Sequence, residues 1–186
     1  MRNTRLQAMI EASIFAAFAL VLDIFVPAIK IATISISFAM VPVFIIALRW
    51  GYKTGLLSGL IWGLLQLVLD PEIIHPLQAI IEFVIAFPFI GFAGIFKDSV
   101  QSHLKNDKKG IAIVIIVCAI FVGSLARYFW HFLAGFIYWD IYAPEGMNAV
   151  WYSFTFNGIA MLGSFISCAV VLLLLILASP RFFVQK

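Results

Sequence analysis

The sequence predicts an all-α integral membrane protein, a compact bundle of six transmembrane helices, and three observations carry that prediction. The composition is 64% hydrophobic against 11% charged, with a mean hydropathy of +1.10. That leaves too little polar surface to cover a water-soluble globule. Apolar runs near the ~20-residue spanning length recur along all 186 residues. The basic residues collect in alternate connecting segments, as they do in cytoplasmic loops.

Hydropathy, Pro and Gly punctuation and charge together set the helices at about 6–26, 37–49, 51–70, 77–97, 110–139 and 150–178. The first contains an Ala17-Phe18-Ala19 tripeptide that resembles a signal-peptidase site. Its apolar run continues to Val26 and further spans follow, so it reads as a retained helix. Ala8, Ala12 and Ala16 lie on one line of it and Ser13 and Ala17 on the next. Small residues at that spacing admit a close neighbour, either inside the bundle or from a partner protein. The second helix is short and carries Pro42, which suits a segment packed among others. The third opens with Gly51, Gly55, Gly59 and Gly63 at four-residue spacing, a stripe for helix packing. Residues 98–110 read as a basic loop, and 1–186 as a single membrane domain without repeats or linkers.

Every Lys and Arg except Lys30 and Arg127 falls in one set of segments: the start of the chain, the turn at Arg49 and Lys53, the stretch from Lys97 to Lys109, and the end. The opposite set holds Lys30, Asp70, Glu72, Asp140 and Glu145. The expectation is a multi-pass cell-membrane protein with both termini cytoplasmic. The pI of about 9.0 reflects this topology signal and not a nucleic-acid surface. Cys118 and Cys168 sit deep in apolar runs, so neither a disulfide nor a metal site is expected.

Ionisable and polar groups inside a membrane are costly and need a reason. Glu82, Arg127, His131, Tyr152 and Asn157 stand out. On the predicted spans Glu82, His131 and Asn157 lie roughly 8, 12 and 10 Å from the outer ends of three different helices. In the fifth helix Arg127, His131, Gly135 and Trp139 recur every four residues and share a face. An acid at the depth of an imidazole, with a gap and a π-surface along the same helical face, suits a small, planar, positively charged ligand. Glu82 paired structurally with Arg127 is the competing reading, and Trp139, Trp151, Tyr138 and Tyr152 equally suit an interfacial aromatic belt. Asp23 and Glu11 near the ends of helix 1, with His75 and His103, read as solvated or interfacial.

No phosphate-binding Gly-x-x-x-x-Gly-Lys-[Ser/Thr] loop, His-Glu-x-x-His or Gly-x-Ser-x-Gly motif occurs, so no enzyme and no cofactor is expected. The remaining enzymatic alternative is an intramembrane serine protease pairing His131 with Ser164 or Ser167.

The stretches Tyr128-Phe129-Trp130-His131-Phe132-Leu133-Ala134-Gly135-Phe136-Ile137-Tyr138-Trp139 and Tyr152-Ser153-Phe154-Thr155-Phe156-Asn157-Gly158, with Glu82 in Ile81-Glu82-Phe83, carry a resemblance. Over nearly its whole length the chain resembles the thiamine-specific S components of energy-coupling factor (ECF) transporters, the ThiT or YuaJ family. The resemblance implies six helices with the vitamin near the outer surface, under the loop between helices 1 and 2. It implies polar contacts from Glu82, His131, Tyr152 and Asn157, stacking on Trp139, backbone from Gly135 and a matching tryptophan at Trp62. It also implies an ECF module of two ATPase subunits and a transmembrane coupling subunit, docked on an Ala-x-x-x-Ala pattern that falls on Ser13 and Ala17. An S component for another vitamin or heterocycle is the alternative within transport. The chain departs from the family in having no Trp within Lys30–Ser35 and in having Phe83 where a Tyr often follows the acid.

Overall fold

The structure, a computed structural model, describes residues 4–26, 29–31, 34–69 and 71–185. Arg2, Asp70 and Lys186, which enter the orientation reading, lie outside the described residues, as do the side chains of the predicted lid segment 30–35. Among the described residues five helices are long and apolar enough to cross a membrane: α1 (Thr4–Phe25), α3 (Tyr52–Leu69), α4 (Pro76–Lys105), α5 (Lys109–Tyr138) and α6 (Ala149–Ala178). A sixth, α2 (Val41–Trp50), is apolar and only 10 residues long. Large aliphatic side chains such as Ile14, Val68, Val114 and Leu174 are more than half exposed on the outer faces. Contiguous surface of this kind belongs against lipid, and the chain is a multi-pass helical membrane protein.

The core forms around α2. Residues Val41 to Leu48 are all buried, and α1, α3, α4 and α6 pack on them. A helix enclosed on all sides needs no lipid-facing stripe, which accounts for its shortness and uninterrupted apolar sequence. Pro42 lies in its first turn, where the missing N–H costs no helical hydrogen bond. Gly51 ends it at φ +94°, so this glycine terminates α2 and does not belong to the stripe of α3.

Three boundaries differ from the sequence expectation. Helix 2 begins at Val41 and not at 37, because the preceding chain forms a hairpin in which β1 (Ile29–Ile31) pairs antiparallel with β2 (Ile34–Ile36). The hairpin lies on α6, where Ile36 fills the space above Gly163 and the Ser37 N–H donates to Ser164 Oγ at 3.2 Å. The expected loop at 98–110 is helical as far as Lys105. Its charged face is solvated while Val100 and Gln101 are buried, and Gln101 Nε2 donates to the carbonyls of Leu48 and Arg49 at 3.2 and 2.8 Å, capping α2.

Third, α4 is not one regular helix. It passes from an α turn into a π segment (Ile80–Ala86), back through Phe87–Phe89, and into a 3₁₀ segment (Ile90–Phe96). The wide turn sits immediately before Pro88, which has no N–H and whose ring would strike the carbonyl four residues back in a regular helix. α3 closes on this irregular backbone through its glycines. A Cβ at Gly63 would lie 2.0 Å from the Phe83 carbonyl oxygen, and one at Gly59 would lie 2.3 Å from that of Phe87.

The end of the bundle that holds Thr4 and Gln185 carries a polar clasp beside a pocket of about 510 Å³. Glu11, expected to be solvated or interfacial, is paired with Arg49 (Nε to Oε2, 2.9 Å). It also accepts from Trp50 Nε1 at 2.6 Å and Gln7 Nε2 at 2.7 Å. Arg49 Nη1 in turn donates to the Phe182 carbonyl at 2.7 Å, tying the C-terminal segment to α1 and α2.

Candidate functional site

At the opposite end of the bundle, a cavity of about 800 Å³ opens between α1, α3, α4, α5, α6 and the start of α2. Its wall includes Trp62, Glu82, His131, Gly135, Trp139, Tyr152 and Asn157, so all seven residues singled out from the sequence meet there. Among the described residues, the charged side chains lining it are Asp23, Glu72 and Glu82 against Arg127, an acidic excess in an aromatic-walled space. Such a space suits a flat cation.

Glu82 is the centre of a polar chain. It stands in the π segment of α4, and such segments re-aim a side chain relative to the helix around them. Trp139 Nε1 donates to its Oε1 at 2.9 Å, and the Gln78 amide donates to Oε2. His131 Nδ1 lies 4.0 Å from the same Oε1. Arg127 Nε donates to His131 Nε2 at 3.1 Å. Because that arginine nitrogen can only donate, Nε2 is the accepting nitrogen and the imidazole proton sits on Nδ1, facing the acid. The expected alternative, a structural pair of Glu82 with Arg127, takes a different form: the imidazole stands between them. The guanidinium lies instead over the rings of Phe87 and Trp62, at 4.4 and 5.3 Å from their centroids.

The α5–α6 wall is set by close packing. A Cβ on Gly135 would meet Ser153 Oγ at 2.2 Å and Asn157 Nδ2 at 2.8 Å. The gap that the sequence offers to a ligand is therefore filled largely by α6. Ser153 Oγ donates to the Phe132 carbonyl at 2.7 Å, and Asn157 Nδ2 donates to the Ser153 carbonyl at 3.1 Å, which fixes the amide at the cavity edge. Tyr152 is buried with its ring 4.5 Å from that of Phe156. Of the four aromatics assigned to an interfacial belt, only Trp151 is largely exposed; Tyr138 stacks on His75 at 5.2 Å.

Among the described residues, three cavity-lining atoms are buried with no hydrogen-bond partner: Trp62 Nε1, Gln66 Oε1 and Ser124 Oγ. Buried polar groups are rarely left unpaired, and a cluster of them on one cavity marks a space that takes a polar guest. Sequence reasoning missed Gln66 and Ser124, which are unremarkable polar residues within apolar helices. It also missed Gln78, and it read Asp23 as solvated or interfacial. Asp23 instead lines the cavity and accepts from Ser37 Oγ at 3.3 Å. The signal available for it was a carboxylate in the last turn of an apolar helix.

The small-residue stripes of α1 divide. Ala8, Ala12 and Ala16 are buried within the bundle, where the Ala12 carbonyl accepts from Ser58 Oγ at 3.0 Å, whereas Ser13 and Ala17 are exposed. Ala12 and Ala16 are thus already occupied by α3. The pairing required for a serine protease is not formed. Ser164 accepts from Ser37, Ser167 Oγ donates to the Gly163 carbonyl at 2.9 Å, and His131 is held by Arg127. Among the described residues no cluster of His, Cys, Asp and Glu is arranged to hold a metal ion.

Comparison with known proteins agrees with this architecture. The family described as "Thiamine transporter protein (Thia_YuaJ)" matches residues 9–184. The thiamine transporter ThiT of Bacillus subtilis (strain 168) is 39% identical over 184 residues, covering 97% of this chain and 95% of the relative. The thiamine transporter ThiT of Lacticaseibacillus paracasei is 32% identical over 189 residues, covering 100% and 94%. The solved structure of ThiT from Listeria monocytogenes superposes with a TM-score of 0.94 at 37% identity, over 98% of this chain and 100% of that one. With sequence relatives over its full length and the same fold, the chain belongs to the thiamine transporter protein (Thia_YuaJ) family, a family of transporters and not of enzymes.

Proposed function

We propose that this chain binds thiamine from outside the cell and serves in its uptake as the substrate-specific S component of an ECF-type transporter. The reading has six spans, with α2 as the short second one, in a single domain of the cell membrane with both termini cytoplasmic. The observation that carries it is the carboxylate of Glu82, held by Trp139 and Gln78 beside His131 in an acidic, aromatic-walled cavity. Thiamine joins a permanently cationic thiazolium to an aminopyrimidine with donors and acceptors. Glu82 and the net acidity offset the cation, while Tyr152, Asn157 and His131 read the polar edges. Trp139 and Trp62 supply ring surface. Gly135 contributes by admitting α6, which brings Asn157 to the cavity.

Uptake against a gradient needs energy, which in this reading comes from two ATPase subunits and a transmembrane coupling subunit. The exposed Ser13 and Ala17 are the part of α1 left for that partner, Ala12 and Ala16 being packed inside. Titration of the detergent-purified protein with thiamine, followed by tryptophan fluorescence, tests binding; saturable quenching is expected because Trp139 lies against Glu82. Riboflavin, biotin and pyrimidine precursors should fail to compete, and displacement by one of them at equal concentration would reassign the ligand. Uptake in cells should require the co-expressed partner subunits, and uptake by the chain alone would contradict the S-component reading.

A further inference from the structure

Gln78 is fully buried at the start of α4, and every polar atom of its side chain is engaged. Its Oε1 accepts from the Ile74 N–H at 3.1 Å. Its Nε2 donates to the Glu72 carbonyl at 3.0 Å and to Glu82 Oε2. This assignment is internally forced. A backbone N–H can only donate, so Oε1 must face Ile74, and the two hydrogens of Nε2 then face two groups that can only accept. A flipped amide would lose all three bonds. The Glu82 carboxylate is therefore gripped at both oxygens, by Trp139 on one and by Gln78 on the other. The same carboxamide also folds the connection between α3 and α4 onto the acid, and Glu72 of that connection lines the cavity.

We infer that Gln78 is the positioning residue of the site: it acts on the ligand through Glu82, by holding the carboxylate toward His131 and Trp139 and by tying the α3–α4 connection to it. The inference rests on the thiamine-binding reading. Hydrogen bonds to charged groups contribute more than neutral ones, and a buried acid released from one of two grips has other rotamers available. Gln78→Met keeps the length and removes every polar contact. It should weaken thiamine binding by about tenfold, the equivalent of one charge-assisted hydrogen bond.

The decisive measurement is a double-mutant cycle of Gln78→Met with Glu82→Gln, read as thiamine dissociation constants by fluorescence in detergent. If Gln78 acts through Glu82, the double variant binds no worse than Glu82→Gln alone, within about twofold. Should Gln78→Met fail to fold, Gln78→Glu preserves the volume and the acceptor toward Ile74 while turning the Nε2 position into an acceptor facing Glu82, and it enters the same cycle. Losses that multiply in the cycle would overturn the inference while leaving the thiamine reading intact, as would a Gln78 variant with unchanged affinity. Wild-type protein that binds no thiamine would overturn both.

Discussion

The two ends of the bundle hold similar polar inventories and use them in opposite ways. At the end near the termini, Glu11 pairs with Arg49, Trp50 and Gln7 beside a pocket of about 510 Å³, and Arg49 extends to the C-terminal carbonyls. At the cavity end, Glu82, His131, Arg127 and Trp139 form an equally connected chain. Around it, however, Trp62, Gln66 and Ser124 are left with buried atoms unpaired, and a cavity of about 800 Å³ adjoins them. A carboxylate, an arginine and an indole thus make a lock in one place and a receptor in the other. What differs is the surround: the cavity end gathers three buried polar atoms without a hydrogen-bond partner among the described residues, against one, the ion-paired Arg49 Nε, at the other. An unmet donor or acceptor away from water costs free energy that a guest recovers.

That contrast makes substitutions at the two ends separable, and the largest effect is expected at the acid. Glu82→Gln should raise the thiamine dissociation constant on the order of 100-fold, because it removes one partner of a desolvated charge interaction. Its unliganded melting temperature should hardly change, and a large thermal loss with intact affinity would make Glu82 a lock like Glu11. Arg127→Met strips His131 of its donor and empties the space over Trp62 and Phe87. A loss of about tenfold in affinity is expected by titration, comparable to one hydrogen bond from a charged group.

Trp62→Phe deletes an N–H that has no partner among the described residues while keeping an aromatic ring. Because Trp62 is buried in the core, the smaller ring leaves space behind it, and stability against thermal unfolding without ligand should fall by about 1 to 2 kcal/mol. Affinity should fall by about threefold, short of the full value of a hydrogen bond. Glu11→Gln tests the other end. It should cost about 1 kcal/mol of stability and leave thiamine affinity within about twofold of wild type. A marked affinity loss in this variant would show that the two ends are coupled.

The parts of the molecule legible in the sequence are those that hydrophobicity and charge determine directly. Apolar runs locate the long helices because lipid demands internally bonded backbone over a fixed thickness. The ionisable residues within them point to the cavity because they are costly elsewhere in the membrane. The remainder depends on interactions between segments. Asp98 to Lys105 read as a loop from their charge, yet Val100 and Gln101 give that stretch a buried face at the end of α2. Gln78 is neutral and carries no depth signal, so nothing in the sequence connects it to Glu82 beyond a four-residue spacing. Asp23 falls at a helix end, where solvent is the default, and the bond it accepts from Ser37, which follows β2, is not visible in the sequence. Ala12 and Gly135 were visible as small residues, but whether the room they leave is taken by another helix or by a second molecule is decided by packing alone.

The π turn at Ile80–Ala86 makes the site sensitive to chain length as well as to residue type. A wide turn accommodates more backbone than an ordinary helical turn, so deleting a single residue there lets the segment relax toward regular geometry. The flanking turns keep nearly the same phase, while the residues inside the segment are turned to new directions. The acid would leave the imidazole and indole although no contacting side chain had been altered. Natural variation across these seven positions is therefore expected to exchange residues while preserving their number, a pattern that aligned relatives can display directly.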